Sequence, residues 1–400
     1  MFFFCSFILP DQTRGQEKAY ELLPSPDMWY NSVDGIRIGV NFVGQVPGTF
    51  EDGPHRLNAG VWLGLWFPSM PVSYQLLYTE PVPGWSEFGS EASVQFLSSI
   101  RTGYHRHGAG FNKRWQPGFQ ENKFRELNIF NTFEKRFNRS YTAFPALWSE
   151  DSKILATAAF KMQDENFLGL YFFELESSLQ YLNDSFIVSS LTAFQKIDLN
   201  RHWGFRFRAF TGVNSSASAP EYLYSRSMNP AIRWMNNGVT RAKGTIPQNW
   251  IESGSLHIAG GANIRGYMHS DVKSFVECEN EVELCSSLYH SILSFNAEFD
   301  FWNPVDALLN KNNYASEFLR FRSYLFYDTG SSTGWIGDQP AEIFSNAGAG
   351  ISFSLNIPDY LGKSRGFVLR YEMPFWISDP TNGNSISFRS LFGFGAVIAF

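Results

Sequence analysis

Few residues of this sequence have both the type and the spacing that enzyme chemistry requires. The run from Gly330 to Gly334 fits the Gly-x-Ser-x-Gly string of hydrolase nucleophile elbows. Such an elbow joins a strand to a helix, and no helical pattern follows Gly334, so we predict a turn there. The sequence contains no His-Glu-x-x-His zinc-protease motif. It therefore predicts a protein that is not an enzyme and that uses no cofactor.

The chain has 3 cysteines, and two of them are close in sequence. Cys278 and Cys285 lie in the same predicted loop, and we predict that they form a disulfide, in a compartment that permits one. A metal site is the less favoured alternative because the neighbouring glutamates, such as Glu277, are hard ligands and no Cys-x-x-Cys or nearby histidine pair completes a zinc set. We therefore predict no metal site. Cys5 has no obvious partner.

Two carboxylates occupy comparable positions on two segments that alternate in polarity. Glu298 shares its parity with Asp300, and Asp328 shares its parity with Arg322. Residues two apart on a strand point to the same face of a sheet. We therefore predict that Glu298 and Asp328 point to one common, polar side from two neighbouring strands.

The elements that would carry these acids are strands with one apolar and one polar face. Near the start, Ile36 and Ile38 alternate with Arg37, and similar alternation recurs along the chain. The last such strand is predicted over Ser385 to Phe400, and a terminal aromatic residue on such a strand is typical of outer-membrane barrels. The residues of this C-terminal strand signal that share one parity are Phe388, Phe392, Phe394, Ile398 and Phe400.

Composition favours a membrane β-barrel over other classes. The 400 residues include 40 Phe, 17 Tyr and 12 Trp, yet the mean hydropathy is only -0.21, so apolar and polar residues are interleaved. No stretch has the length and apolarity of a spanning helix, and a net charge of -6 excludes the basic surface of a nucleic-acid-binding protein. We predict an all-β, closed antiparallel transmembrane barrel of about 14 to 16 strands. A soluble β-sandwich is the alternative.

The predicted barrel domain spans residues 31–400, preceded by an N-terminal extension over residues 1–30 that is a poor signal peptide or a truncated start. An even number of strands puts both termini on the periplasmic side of the outer membrane. The longest region without a strand pattern, about Asn214 to His290, is predicted to be an outward-facing loop system.

Three ordered motifs in the C-terminal part resemble the BamA-like superfamily of outer-membrane surface-antigen barrels. The first is a loop motif, and the other two are strand motifs that follow it in the same order as in the family. The resemblance covers about Trp203 to Phe400. Its residues are Ile264, Arg265, Gly266 and Tyr267 in the loop, Ser294 to Phe299 with Glu298 in the first strand, and Phe326, Asp328 and Gly330 in the second strand.

The resemblance implies that the loop folds into the barrel lumen and that Arg265 engages Glu298 and Asp328. A planar guanidinium binds carboxylates through two parallel hydrogen bonds, which would fix the loop. Gly266 would let the backbone turn tightly beside this contact, and Tyr267 would pack against the barrel wall.

The family further implies a function in protein assembly into, or polypeptide translocation across, the outer membrane of Gram-negative bacteria. The implied partners are outer-membrane lipid and lipopolysaccharide, an unfolded polypeptide client, and periplasmic or lipoprotein partners, with no nucleic acid. The family's polypeptide-transport-associated domains do not fit into the 30 residues before the predicted barrel. The first alternative is therefore a passive pore, or the membrane anchor of a longer protein with a periplasmic peptidase or lipase domain. A barrel enzyme is the third choice.

Overall fold

A computed structural model describes residues 19–46, 55–118, 120, 122–200, 203–234, 242–278, 285–309, 319–334, 340–358, 364–380 and 384–398. Its strands form one sheet of seventeen, which confirms the predicted all-β class. No helix among these residues is long and apolar enough to cross a membrane.

The strands are short to medium in length and follow one another along most of the chain. Their bounds are β1 Glu21–Asn31, β2 Gly35–Gln45, β3 Arg56–Gly64, β4 Val72–Pro81, β5 Ser90–Arg101, β6 Tyr104–Trp115, β7 Phe124–Arg136, β8 Lys153–Asn166, β9 Gly169–Gln180, β10 Phe186–Asp198, β11 Gly204–Asn214, β12 Leu256–His257, β13 Ser291–Phe301, β14 Leu319–Ser332, β15 Glu342–Pro358, β16 Ser364–Ile377 and β17 Leu391–Ile398. The helices are α1 Ala231–Trp234, α2 Gln248–Glu252, α3 Met268–Glu277 and α4 Pro304–Leu309.

Sixteen of the seventeen strands, all except β12, form an antiparallel meander in chain order. At the one interruption, β11 pairs directly with β13, and the two-residue β12 pairs in parallel with β17 instead. The number of long strands is at the upper end of the predicted range. β1 and β17 are the two ends of the meander, and no pair between them is formed among the described residues.

The two faces of the sheet differ in the way that the alternation predicts. In β2, Ile36 and Ile38 are 47% and 43% exposed, whereas Arg37 between them is 1% exposed. We call the face that carries Arg37, Glu298 and Asp328 the inner face. The strands form because every second residue is apolar and suits one side of a pleated surface.

The connections between strands differ strongly in length at the two ends of the sheet. β1 begins and β17 ends at the same end, which we call the terminal end, because the meander has an even number of strands. The opposite loop end carries the connections 137–152, 215–290 and 378–390. The connection 215–290, which we call the long connection, contains α1 to α3 and β12.

A hydrophobic core lies within the connections of the loop end. The long connection contributes Trp234, Phe275 and Leu288, and connection 137–152 contributes Phe144 and Trp148. Phe144 packs edge-on against both Trp234 and Phe275, with ring centroids 6.0 and 5.6 Å away. These two connections therefore form one packed structure across the loop end.

Three boundaries differ from the sequence predictions. The sheet begins with β1 at Glu21, before the predicted domain boundary at residue 31. Pro24 and Pro26 obscured this strand, because proline cannot donate to a strand ladder. β17 begins at Leu391 and not at Ser385, because its ladder with β16 stops just before Pro374, which has no N–H.

The third difference concerns the predicted turn after Asp328. Gly330, Ser331 and Ser332 lie within β14 and pair with both β13 and β15. The small residues suggested a turn, but the neighbouring strands on both sides extend the ladder through them. Ser332, the serine of the Gly-x-Ser-x-Gly string, therefore lies in a regular strand and not at a strand-to-helix elbow.

The Arg265 seat

Arg265 lies in a one-turn 3-10 helix, Arg265–Tyr267, at the point where the long connection contacts the inner face. Its guanidinium binds Asp328 with two parallel hydrogen bonds, from Nε to Oδ2 at 2.9 Å and from Nη2 to Oδ1 at 2.7 Å. Its Nη1 donates to Oε1 of Glu298 and to Oε1 of Glu372, both at 2.8 Å. We call this arrangement the Arg265 seat.

The seat joins one loop residue to three strands. Glu298 lies on β13, Asp328 on β14 and Glu372 on β16, and Arg265 itself is 1% exposed. Burial alone would lower the pKa of Arg265, but Asp328, Glu372 and Glu298 raise that pKa well above its ordinary value. The guanidinium is therefore a permanent positive charge that only acidic partners at these positions can compensate.

Neighbouring groups add further hydrogen bonds to Glu298 and Asp328. Arg322 donates to Asp300 at 2.5 Å and also binds Glu298. Asn296 donates to Oδ1 of Asp328 at 3.1 Å. The aromatic ring of Phe326 lies 3.8 Å from the guanidinium carbon of Arg265, in a cation–π arrangement.

The other residues of the loop motif pack around the seat. Ile264 is fully buried, and Gly330 of β14 makes room for it, because a Cβ on Gly330 would come 2.6 Å from Cδ1 of Ile264. The Tyr267 ring packs edge-on against Phe344 at 5.5 Å. Its hydroxyl lies 3.0 Å from the Ser378 hydroxyl.

Gly266 has a different physical role from the one suggested by its place in the motif. It is absent from the described residues with a positive φ, so no left-handed turn requires glycine there. A Cβ at this position would instead lie 2.6 Å from Cγ2 of Ile377 and 2.7 Å from Cβ of Asn346. Gly266 therefore lets the loop backbone approach β15 and β16 closely.

Sequence reasoning missed three residues of the site, which are Glu372, Tyr324 and His257. Glu372 is fully buried and accepts from Arg265 and from the Tyr324 hydroxyl, which lies 2.7 Å away. His257 is buried, with Nδ1 3.3 Å from Oε2 of Glu372 and Nε2 3.2 Å from the Ser227 carbonyl oxygen. The polar parity of Glu372 on its strand was a signal, but no motif linked it to Arg265.

The remaining predicted residues lie at several places in the fold. Cys278 and Cys285 form a disulfide directly after α3, and Cys5 lies outside the described residues. Phe394 is on the outer face of β17. Ile398 ends β17 with its side chain outside the described part, and Phe400 lies outside the described residues.

A large cavity lies between the long connection and the opposite part of the inner face, which the connection also contacts through Arg233 and Glu176. Its volume is about 600 Å³, and strands β4 to β11 line it together with α1. Charged residues of both signs face it, such as Arg106, Glu134 and Lys161. Within the described ranges, no group of three or more His, Cys, Asp and Glu side chains is placed to hold a metal ion.

Comparison with known proteins gives similarities of structure. No family model and no curated protein matches the chain. The chain is similar to BamA from Haemophilus ducreyi lacking POTRA domains 1-3, with 14% identity and a TM-score of 0.47, over 96% of this chain and 71% of that one. It is also similar to a bacterial polysaccharide outer membrane secretin, with 10% identity and a TM-score of 0.38, over 94% of this chain and 95% of that one.

These likenesses, at 14% and 10% identity, concern the fold alone.

Proposed function

We propose that the sheet closes into a β-barrel that spans the bacterial outer membrane. The support is the inverted polarity of its faces, since large apolar side chains are exposed while charged ones are buried inside, as in a barrel with a lipid-facing surface. The exposed apolar residues on strands include Ile36, Ile38, Val61, Leu76, Phe96, Ile129, Leu175, Ile187, Leu293, Phe295, Leu325, Tyr327, Leu369 and Phe394.

Exposed aromatic residues at both ends of the sheet support the same proposal. Trp85, Phe167 and Trp302 lie in connections of the terminal end, and Trp66 and Phe388 lie in those of the loop end. Aromatic side chains at the two levels where lipid meets water are typical of membrane barrels. In this orientation, the longer connections face outward and both termini face the periplasm.

Within this class, we propose that the barrel acts in protein assembly into, or polypeptide translocation across, the outer membrane. The Arg265 seat is the observation that carries this proposal, because it fixes a loop inside the barrel through the motif residues of the BamA-like resemblance. The proposed partners are outer-membrane lipid and lipopolysaccharide, an unfolded polypeptide client, and periplasmic or lipoprotein partners.

A reconstitution experiment tests this function. An unfolded eight-stranded outer-membrane protein is diluted from urea into liposomes that contain the folded chain, and its folding is followed by heat-modifiable migration on gels. We expect faster folding than in empty liposomes, and little acceleration with Arg265→Ala. Equal folding rates in empty liposomes and in liposomes with the folded chain would contradict the proposal.

The cavity of about 600 Å³ favours one second candidate, a passive pore for small polar solutes. Charged residues of both signs face it, as in a water-filled lumen. Conductance of the purified protein across a planar bilayer distinguishes the two functions. A pore predicts steady, open conductance in the unmodified chain, whereas a seated loop predicts little conductance until Arg265→Ala releases it.

A further inference from the structure

The long connection contacts the free edge of the last strand. β12 pairs in parallel with Phe392 and Gly393, and the Phe392 amide N–H donates to the Ser255 carbonyl oxygen at 2.7 Å. β17 already pairs with β16 along its other edge. β12 therefore lies on the edge that would face β1 in a closed barrel.

The same connection also binds the loop end of the first strand. The Ser32 amide N–H and hydroxyl donate to the carbonyl oxygen of Lys243, at 2.8 and 2.9 Å. The Lys243 amide N–H donates in turn to the Tyr141 carbonyl oxygen at 2.7 Å. One connection thus contacts both ends of the meander on the side of the loop end.

We infer that Ser255–His257 is a latch, which joins the last strand to the long connection at the outer end of the seam between β1 and β17, and that Glu372 couples this latch to the Arg265 seat. The inference rests on the proposed closure of the barrel. It assigns to Glu372 a positioning role in addition to its part in holding Arg265.

The geometry at Glu372 carries the coupling. Its Oε1 accepts from Arg265 and from Tyr324, while its Oε2 faces Nδ1 of His257. Nε2 of His257 lies 3.2 Å from the Ser227 carbonyl oxygen, and Nδ1 of His257 and Oε2 of Glu372, 3.3 Å apart, are both buried without a hydrogen bond to any other described group. One buried carboxylate therefore binds the loop arginine and contacts a residue of the latch strand.

Glu298 offers a matched control for this role. Glu298 and Glu372 each accept from Nη1 of Arg265 at 2.8 Å. Only Glu372 also contacts His257 in the described structure. Glu298→Gln and Glu372→Gln therefore both weaken the seat, but only Glu372→Gln acts directly on the latch.

The rate of hydrogen exchange at the Phe392 amide measures how often its hydrogen bond to the Ser255 carbonyl oxygen opens. With residue-level resolution in lipid, we expect Glu372→Gln to lower the protection of this amide by about tenfold or more, and Glu298→Gln to change it by less than about threefold. Amides of β7, far from the seam, report that the sheet has stayed folded. Equal losses in the two variants, or no loss in Glu372→Gln, would overturn the inference.

His257→Gln provides a second variant if Glu372→Gln does not fold. It leaves the Arg265 seat intact, so we expect loss of Phe392 protection without a change in overall unfolding; unchanged protection would overturn the latch. Client folding is measured separately. If Glu372→Gln and Glu298→Gln differ in Phe392 protection while the unmodified chain accelerates no client folding, that result would support the latch and contradict the proposed function.

Discussion

At the scale of single residues, the structure concentrates charge where an isolated charge would be most costly. Arg265 is buried on the inner face, and bonds to three carboxylates compensate it. Sequence motifs indicated Arg265, Glu298 and Asp328 as partners. They could not indicate Glu372, because its contact with Arg265 depends on how deeply the loop enters between strands that are distant in sequence.

Replacing Arg265 is expected to destabilise the chain strongly. Arg265→Ala removes the cation shared by the buried Asp328 and Glu372 and the partly buried Glu298, and breaking such a cluster costs about 3 to 5 kcal/mol. Urea unfolding in lipid, followed by tryptophan fluorescence, measures the change. Arg233→Ala is the control, because this arginine of the same connection pairs with Glu176 at a partly exposed site and is expected to cost about 1 kcal/mol or less. Similar urea midpoints for Arg265→Ala and the unmodified chain would show that the Arg265 seat does not stabilise the fold.

Gly266 is expected to tolerate no side chain. Gly266→Ala places a methyl group 2.6 Å from Ile377 and 2.7 Å from Asn346, and overpacking of this kind costs about 1 to 3 kcal/mol. Gly84→Ala is the control, since nothing lies within 4 Å of its added Cβ. The same unfolding measurement compares them, and equal stability of the two variants would show that the loop does not approach β15 and β16 closely.

At the scale of elements, alternation predicted the strands, and local exceptions explain the errors. β1 was not predicted because it contains Pro24 and Pro26. The start of β17 was predicted too early, at Ser385, because the effect of Pro374 on the ladder between β16 and β17 was not foreseen. The helices of the long connection could not be predicted, because α1 and α2 have only 4 and 5 residues and such short helices depend on tertiary packing. β12 is shorter still, and only its pairing with β17 defines it.

The disulfide is expected to stabilise α3 and its surroundings but not the sheet. It closes a short loop between Cys278 and Cys285, which corresponds to about 2 kcal/mol in the chain-entropy model. In the Cys278→Ser, Cys285→Ser double variant, limited proteolysis should cut the long connection sooner while heat-modifiable migration stays the same. Equal cleavage rates with and without the disulfide would contradict this local role.

The outer face of the strands is expected to reject charge. Phe96, at the middle of β5, is half-exposed, and an arginine at the bilayer midplane of a barrel costs about 2 to 4 kcal/mol. Gln95→Arg is the matched control, because Gln95 is the adjacent residue and lines the polar cavity. We expect Phe96→Arg to fold poorly into liposomes and Gln95→Arg to fold normally. Equal folding yields would argue against a lipid-facing surface.

At the scale of the whole molecule, the long connection divides the interior unequally. It is bound to the inner face of β13, β14 and β16 through the Arg265 seat, and to the edge of β17 through β12. The cavity lies on the other side, against β4 to β11. Motion of the connection would therefore change both the width of the interior and the outer end of the seam.

Closure of the sheet into a barrel is the central claim, and the distance between its first and last strands tests it most directly. Met28 on β1 and Phe394 on β17 are both exposed, and each lies three residues from the loop end of its strand. Spin labels at these positions, in lipid and with Cys5→Ser, are measured by double electron–electron resonance. Neighbouring strands are about 4.8 Å apart, so closure predicts one narrow distribution below about 20 Å. A broad distribution centred well beyond that distance would show that the sheet is open and would contradict the barrel.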